Sequence, residues 1–372
     1  MAREPHTSHA GIRRPASATK PTFWSDHASA TCRTSVSAMR SAVLLALAVA
    51  AAAACSTSTP GPDPSLAPIA LGQRAIRPVP AFGSVWIASA AEGTVQRVDT
   101  KTGAIVATIT VADPQRLLAA GCAPSSEHAY ATGSFGLRAC DAPSAVAAGT
   151  DAIWAVANDL NALVRIDPSR NAVTDTVALG FDAWSVTAAD HAVWVSDYLN
   201  DAVVRVDPAT RKVVSRINVP SGPTEIATSG DVVWVVCSAA GMVARIDATR
   251  DAVGATISVG AWALAIAVAG DDVWVRGGSA RADGGLYRID RRTNAVAEVS
   301  SAGAPQGREG VASIAATDRG VWVPGVSLDL VDRATGAIVA TLPISSYAVA
   351  VDGDTLWVLD VFGRLVRRTA PR

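Results

Sequence analysis

The chain has almost no lysine: Lys20, Lys101 and Lys212 are the whole set, and arginine carries the rest of its positive charge. Other scarcities exclude more. Five histidines, five cysteines and 5 % aromatic residues are spread over 372 positions. The formal net charge is −1 and no basic run occurs, which removes the electrostatic footprint of a nucleic-acid binder. There is no Cys-x-x-Cys, and the cysteine spacing matches no zinc site. A Gly-x-Ser-x-Gly elbow, a phosphate-binding loop and a dinucleotide fingerprint are all missing. The apolar run at 42–54 has 13 residues, too few for an ordinary membrane span. What remains is an apolar chain, 49 % hydrophobic and 17 % charged, able to bury a large core.

That chain is organised by a repeat. Asp190-His191-Ala192-Val193-Trp194-Val195, followed by Val204-Arg205-Val206-Asp207-Pro208, has sister copies 40 residues away on either side, around Trp154 and Trp234. In all three copies the Trp precedes the Asp by 13 residues. A fixed period near 40 with apolar alternation inside each unit marks short strands in a repeat architecture. Seven tryptophans head a unit: Trp86, Trp154, Trp194, Trp234, Trp274, Trp322 and Trp357. Eight residues before each Trp stands an aliphatic, except in unit one, which has Pro78. The third strand carries Arg-x-Asp, and turns such as Asp207-Pro208-Ala209-Thr210 lead into an alternating fourth strand. The expected fold is all-β: a seven-bladed β-propeller of four-stranded antiparallel blades. Because the Trp and the Arg-x-Asp recur in most units, they are expected to serve blade packing and turn capping. Function should lie where the copies differ.

The repeat resembles the YVTN-type and virginiamycin-B-lyase-like propellers over about residues 66–372. The resemblance implies the fold. It implies no activity, because the lyases use His and Glu near the channel, and here the repeats hold only His128 and His191, neither at that place.

Two irregularities bear on closure and blade number. The last unit stops after Leu365-Val366-Arg367 without a fourth strand, while Leu66–Gly72, ahead of unit one, reads like the end of one. This N-terminal strand is expected to pair with the last blade and close the ring, removing two open edges. Between Trp86 and Trp154 lie 28 residues beyond the period, an insertion at about 112–142. It is either a hairpin inserted in a seven-bladed ring or a degenerate eighth blade. It holds Cys122 and Cys140, expected to form a disulfide in an oxidising compartment, a loop closure of roughly 3 kcal/mol.

Upstream of the repeats, residues 1–38 are polar and without periodicity, a segment expected to be disordered or to precede the true start at Met39. Met39-Arg40-Ser41 and the apolar run then form an export signal over 39–55. Ala52-Ala53-Ala54-Cys55 resembles a bacterial lipobox, with Cys55 as the acylated residue; plain cleavage to a secreted form is the alternative. Residues 56–65 are a Ser/Thr/Pro linker, and 66–372 form one propeller domain.

Propellers place ligands over the central channel, which restricts the search. Arg77, Asp182, Trp184, Thr224, Glu225, Trp262, Arg308, Glu309 and Tyr347 lead into inner strands. Asn158, Asp159, Asp197, Tyr198, Asn200, Arg281 and Asp283 follow the Trp strands. Trp184, Trp262, Tyr198 and Tyr347 beside Asp182, Glu225, Arg308 and Glu309 form a face suited to a sugar, a peptide or a planar ligand. The expectation is a monomeric, lipid-anchored binding or scaffold module at the cell envelope, with a protein, peptide or small-molecule partner and no cofactor. It touches the membrane through its lipid alone and no nucleic acid. The alternative is a metal-dependent hydrolase or lyase with a divalent ion at the channel mouth.

Overall fold

The computed structural model describes residues 67–72, 74–113, 115–116, 142–189, 191–260, 263–277, 285–299 and 313–371. All belong to the compact unit Pro60–Arg372. The upstream segment, the export signal with Cys55, the linker, Cys122, Cys140, Trp262, Arg308 and Glu309 lie outside the described residues.

Seven four-stranded antiparallel sheets form the ring. Blades 1 to 6 span 75–110, 146–178, 186–218, 223–258, 263–299 and 315–342. Blade 7 takes three strands from 346–369 and its outermost strand, Ile69–Ala70, from the other end of the described chain. Ile69 faces Leu365 and Ala70 faces Arg364 in antiparallel register, so the expected closure is found. The innermost strands of neighbouring blades touch all the way round, blade 7 against blade 1 included.

Burial across one blade explains its sequence. The second strand is covered on both faces by neighbouring blades, so Ser84–Ser89 and Ala192–Asp197 are buried at every position. The outermost strand buries a single side chain, Ile109, Val177, Ile217 or Ile257 in blades 1 to 4. Alternation therefore survives only at the rim. Each blade's Trp is the large wedge between blades, at most 2 % exposed in all seven. Cutting such a wedge to alanine typically costs 3–5 kcal/mol.

The recurring polar residues join blades, as their recurrence implies. Arg97 stacks over Trp86 at 5.0 Å, and its Nη1 donates to Pro168 O at 2.6 Å and Asn171 Oδ1 at 2.8 Å in the next blade. Arg205 does the same over Trp194, donating to Asp251 Oδ1 at 3.0 Å. Arg367 carries the pattern across the closure, donating to Thr100 O at 2.9 Å. Blade 2 departs from it: Arg165 stays at home on Asp151 Oδ2, at 2.8 Å. A register shift follows the Arg in blades 1 to 4 at the same place, giving the outer strand one extra residue.

Candidate functional site

Trp184, Tyr198, Glu225 and Tyr347 stand on segments that open at the same end of their blades. Trp184 leads into the inner strand of blade 3, and Tyr198 follows that blade's second strand. Their rings lie 5.0 Å apart at 32°, both half-buried. Gly222, on the way into blade 4, makes room for Tyr198: a Cβ there would stand 3.1 Å from Tyr198 Cε2 and 2.7 Å from Ala239 Cβ. Its φ of +71° is one that glycine adopts freely. Its amide also donates to Asp201 Oδ1 at 2.8 Å.

Several neighbours of this pair are occupied with holding loops. Asn158, 3 % exposed, clamps the segment before Trp184: its Nδ2 donates to Ala183 O at 3.1 Å and its Oδ1 accepts from Ala183 N at 3.0 Å. Asn161 Nδ2 donates to Asp182 Oδ1 at 2.7 Å. The fully buried Asp197 accepts from Asn200 Nδ2 at 2.9 Å and from Arg216 Nη2 at 2.5 Å. Thr224 is buried at the seam between blades 3 and 4, where Ser196 Oγ donates to its carbonyl at 2.7 Å. Tyr347 stands at the other seam: its hydroxyl donates to Ala75 O at 2.6 Å, tying blade 7 to blade 1.

Glu225 lies at the axis and forms an ion pair with Arg77. The two come from blades 1 and 4, on opposite sides of the ring, so the pair bridges the channel. Both occupy irregular stretches of their inner strands, where pairing shifts between Ile76 and Val79 and between Pro223 and Ile226. Arg77 has a left-handed backbone, φ +36°. Ser185 Oγ of blade 3 donates to Glu225 Oε2 at 3.2 Å. The side chains are 20 % and 12 % exposed, so each charge is largely withdrawn from water and matched to the other.

The bridge was not expected from the sequence, yet a signal for it exists. Nine residues before each blade's Trp stand Arg77, Ala145, Ser185, Glu225, Ala265, Ser313 and Ala348. Five are small; the other two carry opposite charge. Arg276 is a second departure of this kind. Two residues after Trp274 and 3 % exposed, it replaces the small or aliphatic Ala88, Val156, Ser196, Val236 and Leu359 of other blades. Burial pushes its pKa below the usual guanidinium range.

Beside Arg77 the channel opens into a cavity of about 230 Å³, lined by Arg77, Pro78, Ile266, Ser313, Ile314, Ala315, Ala316 and Val349 to Val351. His191 lies elsewhere, exposed in a crevice between blades 3 and 4 with Trp194, Arg205 and Asp231. Among the described residues no three of His, Cys, Asp and Glu come together in a metal-binding group.

No family model matches the chain, and no curated protein matches it in sequence. Its likenesses are to solved structures. A streptogramin B lyase structure superposes with a TM-score of 0.61 at 13 % identity, covering 81 % of this chain and 96 % of that one. The hydrazine synthase of Kuenenia stuttgartiensis gives 0.62 at 12 % identity, over 81 % and 97 % of the two chains. BamB from Moraxella catarrhalis gives 0.50 at 13 %, over 78 % and 83 %. At these identities the likeness speaks of fold alone, and the chain is a seven-bladed β-propeller module.

Proposed function

We propose that this protein is an exported, lipid-anchored propeller that acts as a binding module at the cell envelope, with its ligand face at the channel mouth around Trp184 and Tyr198. The observation that supports this most is the half-buried aromatic pair on two segments that open at the same end of blade 3. Aromatic rings supply contact area at little entropic cost, and the charges nearby orient what lands on them. A hydrolase or lyase needs carboxylates or imidazoles left available to a metal or a reacting group. Glu225, the channel carboxylate described here, is already matched by Arg77 and Ser185. Anchoring rests on the export pattern over 39–55, with acylation at Cys55.

Two measurements test the parts separately. Metabolic labelling with palmitate should mark the wild type and fail in Cys55→Ala; an unlabelled wild type ends the anchor. A melting-shift screen of sugars, peptides and planar compounds against the full chain should give hits that weaken at least tenfold in Trp184→Ala or Tyr198→Ala. Hits indifferent to both substitutions place the ligand elsewhere.

A further inference from the structure

Around the Trp184–Tyr198 pair, blades 2, 3 and 4 share a connected surface of one charge sign. Asn158 and Asn161 tie the loop after the second strand of blade 2 to the segment that carries Asp182 and Trp184. Tyr198 continues the surface across Gly222 to Ala239 of blade 4. The five segments concerned, 157–162, 179–185, 197–202, 219–224 and 237–242, hold four aspartates and not one lysine or arginine. Asp197 is matched by Arg216. Among the described residues the other three, Asp159, Asp182 and Asp201, have no ion-pair partner. The opposite end of the same blades mixes both signs, with Arg170, Arg211 and Arg250 in the turns that Asp167, Asp207 and Asp247 cap. Large apolar tips stand among the three carboxylates: Leu199, next to Tyr198, is 68 % exposed and Leu160 is 38 % exposed. Neither the channel cavity nor the crevice at His191 reaches this arc.

We propose that this arc docks a basic peptide segment of a partner protein. Its Lys or Arg side chains meet Asp159, Asp182 and Asp201, and its large apolar side chains meet Leu160, Leu199 and the aromatic pair. The proposal names the partner of the binding module and rests on that reading. Charge complementarity selects the sign of the partner: carboxylates left unmatched on one surface repel one another and are relieved by cations. Indole and phenol faces also accept a guanidinium or an ammonium group. The three carboxylates sit on loops of two blades, interleaved with apolar tips, so a chain segment reaches several of them at once. Aromatic anchors with a polar surround are the composition of a protein interface. A neutral sugar would leave the carboxylates unmatched, and the anionic surface of a membrane would be repelled by them.

The test titrates the full chain into a short fluorescent peptide in which lysine alternates with leucine and tryptophan, read by anisotropy. One control peptide has glutamate for every lysine, and another has serine for every apolar residue. The basic apolar peptide should bind saturably and weaken as salt is raised; each control should bind at least tenfold more weakly. The triple variant Asp159→Asn, Asp182→Asn, Asp201→Asn keeps the acceptor oxygens that Asp113 N–H, Asn161 and Gly222 N–H use. It should melt as the wild type does, bind the peptide at least tenfold more weakly and lose most of the salt dependence. Leu199→Ser, at an exposed tip, should weaken binding severalfold and leave the melt unchanged. Absence of saturable binding to the wild type overturns the proposal. So does equal affinity for the glutamate peptide, or undiminished binding by the triple variant. Vesicles of phosphatidylcholine and phosphatidylglycerol are the other arm: if peptides fail and co-sedimentation with vesicles falls in Leu199→Ser, the face belongs to a membrane and the proposal is overturned. If peptides fail while small-molecule hits dependent on Trp184 and Tyr198 persist, the partner class alone is wrong; if both fail, the binding module goes with it.

Discussion

At Arg211 the backbone is left-handed, φ +59°, at the turn position where blade 1 has Gly103 and blade 6 has Gly336. An L-residue with a Cβ is strained there by about 1 kcal/mol, and the exposed ion pair of Arg211 with Asp175 returns little. Arg211→Gly should therefore stabilise the fold by a few tenths to about 1 kcal/mol in urea denaturation; a loss would mean the ion pair outweighs the strain. Cys237 offers a second check. It is fully buried, and desolvation pushes its thiol up to about 12, so almost no thiolate exists at neutral pH. It should resist thiol reagents in the native protein and react at once in denaturant. Labelling of native Cys237 at pH 8 would contradict the burial. Residues differ in how far the sequence discloses them. The blade tryptophans announce themselves by recurring at fixed spacing. The partnership of Arg77 and Glu225 could not be read, because the two are distant along the chain and nothing local says that the residues nine before each Trp converge on one axis. The Trp184–Tyr198 pair was legible as two members of one face, since both belong to segments that open at the same end of blade 3. The hydrogen bond of Tyr347 to Ala75 was not, because it depends on how two ends of the chain meet.

Strand count, strand order and closure were legible because each blade repeats the same burial problem. A second strand covered on both sides must be apolar throughout, and an exposed rim strand needs one anchor. Local irregularities had no such pattern behind them. Gly320 opens the second strand of blade 6 with φ +154°, and a Cβ there would stand 1.9 Å from Val331 O. Gly320→Ala should cost about 3 kcal/mol, since backbone cannot yield as a side chain would; a cooperative melt unchanged from wild type would show that blade 6 tolerates a shift of its middle strands. The closing strand is the other sensitive element. Removing 66–72 deletes the Ile69–Leu365 and Ala70–Arg364 pairing, strips Ile69 and Leu71 from the core at the seam and bares the edge of blade 7. The melting temperature should drop by several degrees with a rise in aggregation, much more than an ordinary loop deletion causes. An unchanged melt would mean that the ring holds without this strand.

For the whole molecule, acid is the revealing condition. Asp99, Asp167, Asp207, Asp247, Asp290 and Asp332 cap the same turn in six blades, and each is held below the ordinary carboxylate value of 3.8. The causes are hydrogen bonds from the residues they cap, Thr102 N–H foremost at Asp99 and Thr249 Oγ1 foremost at Asp247. Because the folded pKa values are depressed, the unfolded chain binds more protons below pH 4. The stabilisation is complete above the unfolded value and is lost as pH falls through the folded ones. The melting temperature should hold from pH 7 to about 5 and decline below about 4. Asp247→Ala should lower it more at pH 7 than at pH 3; a deficit that is equal at both would remove the turn carboxylates from the explanation. The seam at blade 7 has a different consequence, one of timing. Ile69 is made before blade 1 and Leu365 only with blade 7, so six blades can emerge in sequence while the first strand waits for its partner. A chain that stops short of blade 7 leaves that strand unmatched, and with it the inner edges of blades 1 and 6. The ring is complete only once blade 7 is made, and a product truncated before it betrays itself by an open flank.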